Sequence, residues 1–116
     1  MKESEIFNEV KKFIASPLKN GYITDGVMTL YVRKSRQLIQ GEIKRCFDLA
    51  NVTVSESEQG KGIFKKFMHD LLVKFPNLNI YVESVLSDAV AHVIKDLGFT
   101  KQSDNNFDNN YYKLGK

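Results

Sequence analysis

Cysteine is nearly missing: Cys46 is the only one in 116 residues. No intramolecular disulfide can form, and no metal-ligand spacing is present, so no metal is expected. No secretory signal is evident either. With the lone thiol, this predicts a protein of the reducing cytoplasm. No apolar run approaches the roughly 18–20 residues that span a bilayer, so no membrane partner is expected. There is no repeat, low-complexity tract or interdomain linker. Neither sign of charge dominates: 17 Lys and Arg against 14 Asp and Glu leave a net +3. That mild excess suits an anionic small molecule and is too scattered to argue for nucleic acid.

What remains is ordinary globular composition, 42% hydrophobic and 27% charged. It predicts one folded domain over 1–116, of modest stability. Residues 4–15 carry Ile6, Phe7, Val10, Phe13 and Ile14 at helical spacing. Ser16-Pro17 stops that helix, and "KNGY" reads as a turn. Residues 27–40 and 43–54 read as two extended segments about a Gln40-Gly41-Glu42 turn, which predicts an antiparallel pair. A polar loop, "SESEQGKG", follows. Residues 62–74 then carry apolar side chains at 63, 64, 67, 68, 71 and 72, a helical period. A strand at 78–85, a helix at 88–97 and a closing strand pair, "GFTKQ" and "NYYKL", complete the chain. The segment from 46 to 83 should be a right-handed parallel strand–helix–strand crossover. The expected architecture is α+β, with a mixed, mostly antiparallel sheet flanked by helices.

The glycine loop Gln59-Gly60-Lys61-Gly62 joins a strand end to a helix start. The first N–H groups of a helix lack internal partners, and the dipole is positive there. Glycines let an anion approach the backbone, so this is either a phosphate cradle or a plain tight turn. It is not a triphosphate P-loop, which needs Gly, four spacers and Gly-Lys-Ser/Thr. It also lacks the third glycine of the dinucleotide fingerprint.

The stretch resembles the acetyl-coenzyme A binding motif of the GNAT N-acetyltransferase superfamily, Gln/Arg-x-x-Gly-x-Gly/Ala. Gln59 and Gly62 fit, and the pattern departs at Phe64, where the family has a small residue. The ordered strand, helix and "DLGF" at 96–99 resemble the family's closing motif, and the likeness covers residues 27–114. "FDLANVTV", "QGKGIF" and "YVESV" are similar to small members encoded by bacteriophages. The resemblance implies an acetyl-CoA-dependent N-acetyltransferase in which an amine attacks directly in a ternary complex. It places the pantetheine arm of acetyl-CoA along Val52, Thr53 and Val54, with a backbone amide near Val52 at the acyl oxygen. It places the pyrophosphate on the amides of Gln59, Gly60, Lys61, Gly62, Ile63 and Phe64. Phe64 would either crowd that phosphate or turn into the core. A rotation of about 100° per residue favours the core. The family's asparagine near the start of the last helix falls at Ser87, and its tyrosine general acid falls at Ile94.

With that tyrosine missing, the acid–base candidates are Glu83, at the end of a strand beside the cleft, and Asp48, on the preceding strand. Each has a plainer reading: Glu83 as a solvated strand-end carboxylate, Asp48 as an outward residue paired with a lysine or arginine. Asn51 could orient substrate or mark a bulge. His92 reads as a structural or boundary residue, His69 as solvated, and Cys46 as a packed strand residue. One of Tyr111 and Tyr112 should pack inward, and the other could line the acceptor cleft. Arg33, Lys34, Arg36, Lys44 and Arg45 read as a solvated sheet edge or, more sharply, as a patch for an acidic partner or nucleic acid; no aromatic interleaving accompanies them, which favours the solvated edge. A non-catalytic module that binds coenzyme A or a protein partner is the rival reading. A homodimer through an edge strand is also open.

Overall fold

The computed structural model describes residues 3–83, 85, 88–102 and 109–116. Helix α1, Glu3–Ala15, presents Ile6, Phe7, Val10 and Phe13 as one buried stripe. Strands β1 (Asn20–Thr24), β2 (Met28–Ile39) and β3 (Glu42–Val54) follow as an antiparallel meander. A two-residue turn closes the β2–β3 hairpin, with Gln40 at φ 54° and Gly41 at φ 81°. Paired positive φ values match the twist of the strands they join, and glycine takes the second at no steric cost. Helix α2, Ile63–Lys74, crosses to β4, Ile80–Val82, which pairs in parallel with β3. Helix α3, Asp88–Asp96, leads to β5 (Thr100–Lys101) and β6 (Tyr111–Lys113), an antiparallel pair.

The six strands lie in the order β1-β2-β3-β4-β6-β5, and β3–β4 is the parallel junction. Strand alternation puts Val32, Leu49, Val82 and Tyr111 on one face. They join one core with residues of α1, α2 and α3. Phe7 of α1 stacks on Phe67 of α2 with ring centroids 5.4 Å apart, and Phe13 meets Phe47 edge-on at 6.2 Å. The opposite face carries a smaller cluster of Ile39, Cys46 and Tyr81, with Tyr112 and Leu114 against it.

Two elements differ from the sequence expectation. "KNGY" is not a turn but the start of β1, whose Asn20 and Gly21 pair with Arg33 and Val32. Asn and Gly are poor strand formers, but the backbone of β2 supplies the ladder and α1 packs over Gly21 through Phe13. The strand expected over 78–85 narrows to Ile80–Val82. At its start, Asn79 donates to the Arg45 carbonyl at 3.0 Å and accepts from Gly115 N–H at 2.8 Å. His92 is exposed and lies 3.3 Å from Asp96, so it is a surface residue and not a boundary one.

The Phe7–Phe67 stack ties α1 to α2. Phe67→Ala should cost about 3–5 kcal/mol of unfolding free energy by urea titration. Exposed Tyr22→Ala on β1 loses only a cross-strand ring contact with Tyr31 at 4.8 Å and should cost about 1 kcal/mol or less.

Candidate functional site

β3 carries one residue too many for its partner. Val32 pairs with Leu49, yet Tyr31 pairs with Asn51, so Ala50 is a bulge. Before it, odd-numbered residues bond β4: Phe47 N–H donates to Asn79 at 2.8 Å, and Leu49 C=O accepts from Glu83 at 3.1 Å. After it, Ser55 N–H donates to the carbonyl of Val27, just before β2, at 2.7 Å, so the odd residues now face β2. By this alternation Val52 and Val54 turn their backbone groups toward β4. β4 is no longer there, since pairing ends at Leu49–Val82, and Val85 N–H bonds Asn109 on the far side. The two parallel strands therefore part into a gap.

A cavity of roughly 360 Å³ fills this gap. Its walls include Asn51, Val52 and Val54 from β3, Val82 of β4, Glu83 and Val85 beyond it, Phe64 of α2 and Val90 of α3. The size falls within the about 300–1,000 Å³ range of small-molecule sites. Thr53 is exposed and pairs with Thr29 of β2, so it does not face the gap. Phe64 is half-buried: it packs against the core and also forms part of the cavity wall. Ile94 is 0% exposed inside the core, and Val90 is the α3 side chain at the cavity. Ser87 lies outside the described residues.

The mouth of the gap is the glycine loop. A 3-10 turn, Glu56–Glu58, leads into it, and the Gln59 side chain donates to the Val54 carbonyl at 3.0 Å, tying the loop to β3. Gly60 and Gly62 take φ of 82° and 75°, and nothing lies within 4 Å of the position a Cβ would occupy at either. Gly62 is the N-cap of α2 and offers no side-chain cap. The first helical bond runs from Lys66 N–H to Gly62 C=O at 3.0 Å. Among the described residues, the amides from Gly60 to Lys65 have no partner. Six donors, no acidic residue in the first turn and the positive end of a 12-residue helix make this an electropositive opening. Lys61 is turned aside to Glu58 at 3.1 Å, and Ile63 packs against the core.

At the inner end of the gap stand the two carboxylates. Glu83 lines the cavity and forms an ion pair with Arg33 of β2. Asp48 sits behind it, 0% exposed, with its Oδ2 3.7 Å from the same guanidinium. The plainer expectation of an outward Asp48 fails on burial and holds on the cationic partner. Neither Asp48 oxygen nor Arg33 Nε has a hydrogen-bond partner among the described residues. Burial first, and the Glu83 carboxylate second, push the Asp48 acid up to about 8, against the pull of Arg33. The Glu83 hydrogen bond raises Arg33 in turn, so the guanidinium stays charged. One guanidinium faces two carboxylates, and the fully buried one, Asp48, is the harder to ionise.

Sequence reasoning missed Arg33 by grouping it with the solvated basic residues. The signal was present: counting back from the Gln40-Gly41 turn puts Arg33 opposite Asp48. Cys46 is buried, as expected, and its thiol is pushed up to about 11 by burial. His69 is exposed on α2. Tyr111 packs inward, while Tyr112 lies on the opposite face beside Tyr81 and does not line the cavity. No metal-binding group of three ligands occurs among the described residues, and no described helix is long and apolar enough to cross a membrane.

No family model and no curated protein matches the sequence. Solved structures do match the fold. The KacTA–DNA complex aligns at TM-score 0.56 and 16% identity over 95% of this chain and 77% of that one. An AtaT toxin variant, solved with the C-terminus of the antitoxin AtaR and acetyl-CoA, aligns at 0.53 and 16% over 75% of this chain. The aminoglycoside 6'-N-acetyltransferase AAC(6')-IG of Acinetobacter haemolyticus aligns at 0.50 and 15% over 90%. The fold is that of the GNAT acetyltransferases. At these identities the likeness speaks for the fold alone, and the chain spans 57% of the AtaT chain's length. Within this GNAT-like fold, the parted strands and the open loop are features of the chain's own backbone.

Asp48 gives a checkable pH dependence. Its acid is raised in the folded state, so folding takes up a proton between about pH 4 and pH 8. The associated stability is complete below the ordinary carboxylate range and is lost as pH rises through about 8. Unfolding free energy should fall with pH across that window, by at most about 1.4 kcal/mol per unit for one proton. Asp48→Asn should flatten the slope in urea titrations at stepped pH. An unchanged slope would remove Asp48 as the proton carrier.

Proposed function

We propose that this chain is an acetyl-CoA-dependent N-acetyltransferase acting on an amine. The observation that carries the reading is the Ala50 bulge. It opens the β3 edge at Val52 and at the Val54 N–H, the Val54 carbonyl being taken by Gln59, in line with six amides at the α2 start that have no partner among the described residues. A pantetheine arm carries amide groups that can pair with such an edge, and a pyrophosphate fits such a helix start. The open space over Gly60 and Gly62 leaves the approach clear. Acetyl-CoA, when bound, supplies the activated acetyl group and a thiolate leaving group. The neighbour solved with acetyl-CoA supports this choice of cosubstrate.

The chain's own residues then have separable tasks. Val52 N–H, facing the gap, donates to the acyl oxygen. Gln59 fixes the loop on β3 so that both anchor points stay in register. Val54, Phe64, Val85 and Val90 line the gap with apolar surface along the ligand's length. Glu83 orients the incoming amine and accepts its proton, with Arg33 holding the carboxylate toward the gap. Asp48 does not reach the cavity; with its acid raised by burial, it leaves the Arg33 charge to Glu83.

A second reading, a GNAT-like module that binds coenzyme A without chemistry, draws on Ile94. That position is buried in the core and presents no phenol to the cavity. Titration calorimetry and turnover separate the two. Acetyl-CoA should bind with micromolar affinity, and Gly62→Asp should abolish it by putting a Cβ and a negative charge at the phosphate position. Glu83→Gln should keep coenzyme A binding and lower acetyl transfer to a panel of primary amines by about 10²-fold or more. Binding without transfer by wild type would favour the module, and equal transfer by wild type and Glu83→Gln would remove Glu83 as the base. No binding to wild type would end both readings.

A further inference from the structure

At the end of the sheet away from the gap, the β2–β3 hairpin outgrows its neighbours. β1 covers β2 only from Thr29 to Arg33, and β4 covers β3 only from Phe47 to Leu49. The outer part is therefore a two-stranded arm. Its helix-side face carries three cross-strand pairs: Lys34 with Phe47, Arg36 with Arg45, and Leu38 with Ile43. Leu38 and Ile43 are 61% and 66% exposed. At the base of the arm is a cavity of roughly 690 Å³. Phe47 and Leu78 are among its apolar walls, and Lys19, Lys34, Arg36 and Arg45 give it four cations. Among the described residues no acidic side chain lines it.

Two features here are unfavourable in the isolated chain. Like charges directly opposite each other in a sheet destabilise it, and Arg36 and Arg45 are such a pair. Among the described residues the side chains of Lys19, Arg36 and Arg45 have no ion-pair or hydrogen-bond partner. Lys34 alone of the four is held, by the Ser16 carbonyl. Charge that only blunts an exposed arm against aggregation would not come with an exposed Leu–Ile pair on the same face. Apolar and cationic groups alternating along one face, above a cavity with apolar walls, ask for the complementary surface.

We propose that this face docks an acidic segment of a partner protein, with apolar side chains spaced between its carboxylates. Carboxylates seat on the guanidinium forks of Arg36 and Arg45, which can each take one in bidentate fashion. The apolar side chains cover Leu38 and Ile43 and enter the cavity against Phe47 and Leu78. A nucleic acid fits less well, because among the described residues no aromatic ring is exposed on this face for bases to stack on. Arg45 and Val52 are separated along β3 by about 20 Å or more. The docked segment therefore leaves the glycine loop free, and the proposal stands whether or not the chain acetylates anything.

The test is fluorescence anisotropy with a labelled synthetic peptide of alternating Glu and Leu or Phe. Its Lys-for-Glu counterpart and single- and double-stranded DNA and RNA oligonucleotides run beside it. The Glu peptide should bind at low salt and the Lys peptide should not. Arg36→Glu should weaken the Glu peptide by about tenfold or more. The same change places a carboxylate opposite Arg45, so the melting temperature should hold or rise, which separates lost docking from lost folding. Leu38→Ser should also weaken binding. Failure of the Glu peptide to bind, or binding that Arg36→Glu leaves intact, would overturn the proposal. Tighter binding of an oligonucleotide than of the peptide would overturn it too, and assign the face to phosphates. A fall in melting temperature for Arg36→Glu would show that the arginine pair is structural.

Discussion

The extra residue at Ala50 changes which edge of β3 is occupied, and most of the site follows from that change. Up to Leu49 the strand spends its outward hydrogen bonds on β4. One residue later the ladder to β2 has slipped by one, and Val52 and Val54 face a strand that has turned away. Buried backbone groups are rarely left unpaired. An edge opened between two parallel strands at the centre of a sheet is therefore a place for a ligand that brings its own donors and acceptors. The same bulge keeps Leu30 and Val52 on the core side, so the gap opens without exposing the apolar face.

The rest of the site is arranged around this edge. α2 begins where β3 ends, and Gln59 clamps the junction, so a long ligand meets the strand edge and the helix amides in sequence. At the inner end, Arg33 sits between two carboxylates, of which Glu83 alone reaches the cavity. The orphaned oxygens of Asp48 are an energetic cost that a plain structural ion pair would not carry. A proton on Asp48 lowers that cost and leaves Glu83 and Arg33 as the charged pair beside the gap. The backbone thus forms the open edge and the helix start, and three side chains, Arg33, Asp48 and Glu83, form the charged inner end. The far arm of the hairpin is a different surface, with a different charge and no share in the gap.

Much of the architecture was legible in the sequence because it is written in side-chain periodicity. The stripes of α1 and α2 and the paired strands about Gln40-Gly41 all stand where the pattern put them. β1 was not legible, since Asn20 and Gly21 become strand only by pairing with β2. The bulge was not legible either: Ala50 has no signature, and its effect is on register. The glycine loop could be found, but its partnerless amides are a property of conformation. Arg33 was within reach, because a two-residue turn fixes which residues face each other until the bulge intervenes. It was missed because five neighbouring cations were read as one solvated group, when Arg33 serves the site and Arg36 and Arg45 serve another face.

The central claim is that the opened β3 edge and the α2 start together receive one ligand. Amide chemical shifts of nitrogen-15-labelled protein, followed while acetyl-CoA is added, test it most directly. The account predicts perturbations concentrated at Val52 and Val54 and from Gly60 to Lys65, with little change at Arg36 and Arg45. Shifts confined to another surface, or none at saturating acetyl-CoA, would contradict it.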